Sequence, residues 1–141
     1  MEKDLEFAKQ LLSQHDYTCV LAKGDRVRTS THRGVRPLLE LLECGEDFHD
    51  FCAADKVVGK ATAFLYVLLG VRAVYGRTVS RSAAGVLERW GIALEYGEMV
   101  EAIANRDRTG FCPMESAVRS IDAPLEAHRA VVETLKKLQN T

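Results

Sequence analysis

A chain of 141 residues and 15.7 kDa, with 47% hydrophobic and 28% charged residues, has the composition of a folded globular domain; disordered, collagen-like and low-complexity classes are excluded. Lys plus Arg number 19 against 20 Asp plus Glu, so no basic excess draws the chain to a phosphate backbone and nucleic acid is not expected as a partner. The longest apolar stretch, Ala61 to Val71, is far short of the ~20 residues of a membrane span, and the acidic start Met1-Glu2-Lys3-Asp4 does not read as a signal peptide.

Leu5, Ala8, Leu11 and Leu12 recur at helical spacing and predict a helix over residues 2 to 14. Tyr17 to Leu21 reads as a strand, Lys23-Gly24-Asp25 as a turn, and Arg26 to Thr29 as an antiparallel partner strand. Gly34 to Cys44 is a short helix with Pro37 in its first turn and Gly45 beyond its end. From Asp55 to Leu69, apolar residues occupy both faces of what reads as one buried helix, stopped by Gly70. Val71 to Tyr75 is a strand, Ser80 to Trp90 a helix ended by Gly91, and Ile92 to Tyr96 another strand. Glu98 to Asn105 reads as helical, and Thr109 to Pro113 as a turn into a short helix over Met114 to Ser120. Asp122 and Pro124 open the last helix, with Leu125, Val131, Val132, Leu135 and Leu138 on one side. Two antiparallel strands followed by alternating helices and strands predict an α/β three-layer sandwich, with a mixed sheet of about four to five strands in a single domain over 1–141. The four cysteines, Cys19, Cys44, Cys52 and Cys112, are scattered and form no C-x-x-C pair, which indicates reduced thiols and a cytoplasmic protein.

Three phrases sharpen the reading: Gly34-Val35-Arg36-Pro37-Leu38-Leu39-Glu40-Leu41-Leu42, Ala53-Ala54-Asp55-Lys56-Val57-Val58-Gly59-Lys60-Ala61 and Thr109-Gly110-Phe111-Cys112-Pro113-Met114-Glu115. In that order they resemble the family catalogued as domain of unknown function 1893, placed among cytidine-deaminase-like folds. The resemblance covers about residues 5 to 138 and implies that fold without implying an activity. Zinc deaminases carry a His or Cys, a spacer and a Glu at one helix start, then P-C-x-x-C at the next. Position matching puts Ala53 and Asp55 at the first pair and Ser80 and Ala83 at the second, so no zinc-dependent deamination, metal or other cofactor is expected. An improvised metal site from Cys44, His49 and Cys52 is less favoured than plain burial of the thiols.

The residues best placed for chemistry are Asp55 and Cys112. Asp55 is a carboxylate in an otherwise apolar run, suited to move a proton; Cys112, before Pro113, stands in a first helical turn that favours a thiolate nucleophile. Lys56, Ser80, Arg81 and Ser82 are expected at helix starts where backbone N–H groups and side-chain charge hold an anion. Ordinary helix capping by Asp55, Ser80 and Glu115 is the plain alternative. The favoured reading is a small-molecule-binding domain or non-zinc enzyme with a polar or anionic ligand, nucleotide-like by analogy with the fold. The competing reading is a catalytically dead deaminase-fold module for interaction or regulation. Self-association, most simply a homodimer, is expected by the same analogy.

Overall fold

Ala8 and Leu12, one stripe of helix α1 (Glu2–Gln14), bury against Val20, Ala22 and Ala54 on one face of a sheet. The computed structural model describes residues 2–103 and 112–139. Strands β1 (Cys19–Lys23) and β2 (Arg26–Ser30) form the expected hairpin, turned at Gly24 with φ +58°. Helix α2 (Arg36–Glu43) follows, with Pro37 in its first turn and Gly45 at φ +81° beyond its end. Then come β3 (Cys52–Val58), α3 (Lys60–Leu69), β4 (Ala73–Ser80), α4 (Arg81–Arg89), β5 (Ala93–Val100), α5 (Pro113–Ala117) and α6 (Pro124–Gln139).

The five strands are ordered β2-β1-β3-β4-β5, antiparallel through β2, β1 and β3 and parallel through β3, β4 and β5. The mixed sheet and the helices on both its sides realise the predicted α/β sandwich. The layers are unequal. Among the described residues, helix α1 covers one face of β1, β3 and β4, while α3 on the other face packs against α2, α4, α5 and α6. The main core lies under this second layer and includes Leu21, Phe51, Phe64, Leu65, Val74 and Leu87.

Three expectations are corrected. The helix expected from Asp55 is instead strand β3 followed, after Gly59, by α3. Residues 52 to 55 are buried on both faces of the sheet, so the run is apolar without alternation and periodicity does not separate it from a buried helix. The position matching that set Ala53 and Asp55 at a helix start therefore falls on a strand. Second, β4 and β5 run on to Ser80 and Val100, so Glu98 to Val100 is strand rather than helix; pairing with β4 overrides local propensity. Residues 104 and 105 of that expected helix, like Thr109 to Phe111, lie outside the described residues. Third, Leu125 is 70% exposed and Leu138 48% exposed, so the inner stripe of α6 is narrower than expected and rests on Ala127 and Val131.

Candidate functional site

Cys19 and Asp55 are Cα partners across β1 and β3, on the sheet face beneath α3. Their neighbour from α3 is Tyr66, whose hydroxyl donates to Asp55 Oδ2 at 2.7 Å; the Cys19 Sγ lies 3.3 Å from the same hydroxyl oxygen. All three residues are buried. Asp55 Oδ1 also accepts the N–H of Val57, two residues on, at 3.2 Å. This local bond coincides with a change of face along β3: Asp55 points inward, Val57 is exposed, and Val58 is fully buried. Burial pushes the Asp55 carboxyl up from 3.8 to about 7, against the opposing pull of the bonds from Tyr66, Val57 and Lys56. Burial also drives the Cys19 thiol and the Tyr66 phenol upward, so both stay neutral beside it.

Asp55 lies on a cleft of about 750 Å³, in the size range of small-molecule sites. Lys56, Val57 and Thr62 line it with Asp55, while Arg33 lines it from the β2–α2 connection and Arg36 and Pro37 from the first turn of α2. Cys112, Met114 and Glu115 contribute from the start of α5, and Leu135 and Leu138 from the end of α6. The N-terminal ends of α2, α3 and α5 thus meet at one cavity. Thr18 ties two of the walls together: its hydroxyl donates to the carbonyls of Ser30 and His32, and its own carbonyl accepts the Lys56 N–H at 3.1 Å.

Capping, the plain alternative for Glu115, is what its carboxylate does, at the start of another helix. Its carboxylate accepts the Ala61 N–H at 3.2 Å and covers the start of α3, where Gly59 offers no side-chain cap. A Cβ at Gly59 would stand 2.7 Å from the Glu115 carboxyl, so only glycine admits this approach without a shift. Burial raises the Glu115 carboxyl, opposed by bonds from Ala61, Lys60 and the Ser80 hydroxyl.

Of the residues singled out from sequence, Asp55, Lys56 and Cys112 are brought to this cleft. Ser80, Arg81 and Ser82 are not among its lining. Ser80 is fully buried and caps α4, accepting the Ala83 N–H at 3.2 Å, with Ser82 Oγ 3.2 Å from its hydroxyl. Arg81 turns to solvent and pairs with Glu101 at 2.8 Å. Sequence reasoning missed Arg33, Tyr66 and the trans-acting role of Glu115. The one available signal was Tyr66, a phenol in a helix that is otherwise largely apolar on both faces. Cys44 is exposed, and among the described residues no group of three or more His, Cys, Asp or Glu is placed to share a metal ion. No helix among the described residues is long and apolar enough to cross a membrane.

Fold and site together define an α/β domain with a five-stranded mixed sheet and a large cleft of mixed polar and apolar lining at the meeting of three helix starts. The chain belongs to the family described as domain of unknown function (DUF1893), whose model matches residues 7–135. It is similar to the crystal structure of a DUF1893 family protein from Thermotoga maritima, with a TM-score of 0.87 and 23% identity over 94% of this chain and 90% of that one. At that identity the likeness shows the fold. No curated protein matches the chain.

Proposed function

We propose that the domain binds a small polar or anionic molecule in this cleft, with Asp55 as the group that exchanges a proton or a hydrogen bond with it. One observation carries the reading: a buried carboxyl, held by Tyr66 and Val57 and raised to about 7, lies on a cleft of about 750 Å³. A carboxyl near 7 is half protonated at neutral pH and suits either direction of proton transfer. Burying it costs folding free energy, and a retained cost of this kind is a mark of function. Cys112, at the N-cap of α5 and only partly exposed, stands on the same cleft as a second reactive group. Lys56 adds positive charge beside Asp55, whereas Ser80 supports the wall indirectly through Glu115.

A thermal-shift screen of nucleosides, nucleotides and small carboxylates against wild type, Asp55→Ala and Cys112→Ala tests this. A ligand that raises the wild-type midpoint and not that of Asp55→Ala supports the site. If no ligand shifts the wild type, the domain is better read as an interaction module built on a deaminase-like scaffold.

A further inference from the structure

Two sets of charged groups on this cleft stand on different elements. Its carboxyls Asp55 and Glu115 are buried and half-buried respectively, Lys56 follows Asp55 on β3, and Glu115 is already engaged by the N–H of Ala61. Arg33, on the β2–α2 connection, and Arg36, at the start of α2, stand exposed on one wall, and neither forms an ion pair with a described residue. The other arginines near the hairpin do: Arg26 and Arg28 both bind Glu46. The sheet sets the separation. Ser30, Cys19 and Asp55 are side-by-side Cα partners across β2, β1 and β3. The chain that carries Arg33 therefore leaves the sheet two strand spacings, about 10 Å, from Asp55.

Aliphatic side chains also line the cleft. Val57 and Leu138 are two of the five large hydrophobic side chains left exposed among the described residues, and both line this cleft with Leu135 and Met114. No Phe, Tyr or Trp is among its described lining residues, and the His32 imidazole is the one ring they offer a nucleobase to stack on.

Resting on the reading of this cleft as a small-molecule site, we propose that its ligand is an aliphatic zwitterion, with an ammonium or other N–H donor against Asp55 and an anionic group against Arg33 and Arg36. The cation restores an ion partner to a carboxylate that burial otherwise disfavours, and the exposed arginines supply bidentate N–H donors for a carboxylate or phosphate. An apolar chain joining the two charges covers Val57 and Leu138.

Calorimetric titration with 6-aminohexanoate, hexylamine, hexanoate and cytidine 5′-monophosphate tests the class. Expected is binding of 6-aminohexanoate at least tenfold tighter than of either single-ended compound. Asp55→Asn should remove the preference over hexanoate, and the double variant Arg33→Gln/Arg36→Gln the preference over hexylamine. Both preferences surviving those variants would overturn the assignment. Tight cytidine 5′-monophosphate binding that Asp55→Asn abolishes, with no zwitterion binding, would overturn the ligand class and leave the cleft reading intact. No binding of any of the four, with no hit in the thermal screen, would remove both.

Discussion

Replacing Asp55 by Asn isolates the free energy spent on a buried acid. A carboxyl whose folded value is raised from 3.8 to about 7 binds its proton more tightly in the native state than in the unfolded one. Below 3.8 both states are protonated and no penalty exists. As pH rises through the interval the penalty grows by about 1.4 kcal/mol per pH unit, and above about 7 it is fully present. The full amount is about 4 kcal/mol, and about 1 kcal/mol of it remains at pH 4.5. Asn keeps the size of Asp55 and an acceptor for Val57, and it loses the charged bond from Tyr66, a cost of about 1 kcal/mol. The variant should thus be more stable than wild type at pH 8 by about 2–4 kcal/mol, or roughly 6–12 °C in midpoint. At pH 4.5 the gain should shrink to within about 1 kcal/mol of zero. Urea denaturation of both proteins at the two pH values measures it. A gain independent of pH, or a variant less stable at pH 8, would refute the placement of an ionisable Asp55 in the interior.

Further outcomes follow from the same geometry. Tyr66→Phe removes the donor to Asp55 Oδ2, so stability at pH 8 should fall by about 1–3 kcal/mol, with a smaller loss at pH 4.5 where the carboxyl is mostly neutral; denaturation across pH checks this. Glu115→Ala deprives α3 of its cap and should cost about 1 kcal/mol, Gly59→Ala should mimic it by displacing the same carboxyl, and the double variant should cost less than the sum of the two. Under native conditions a thiol reagent should label exposed Cys44 quickly and Cys112 more slowly. Buried Cys19 and Cys52 should react only after unfolding, as mass spectrometry of the labelled chain would show.

The parts of this fold that sequence reveals are those governed by local chemistry. The β1–β2 hairpin announces itself through Lys23-Gly24-Asp25, and α4 through Ser80, whose hydroxyl does cap it. Strand β3 is hidden because Cys52, Ala53, Ala54 and Asp55 are buried on both faces, and only Gly59 marks the boundary with α3. Asp55 stood out as a carboxyl within an apolar run, and Cys112 by its place before Pro113. The rest of the cleft depends on long-range pairing: Arg33 matters only because β1 sits between β2 and β3, and Glu115 caps a helix whose first residue lies 55 positions earlier. No spacing within a single segment encodes either relation.

The central claim is that the cleft over Asp55 holds a small molecule. Mapping backbone amide shifts of the ¹⁵N-labelled protein, with 6-aminohexanoate and with each ligand that raises the thermal midpoint, tests it directly. The account predicts saturable shifts confined to Thr18, to Thr31 through Arg36, to Asp55 through Thr62 and to Cys112, Met114 and Glu115, lost or much weakened in Asp55→Asn. Shifts centred instead on α1 and the sheet face it covers, or unchanged in Asp55→Asn, would contradict it.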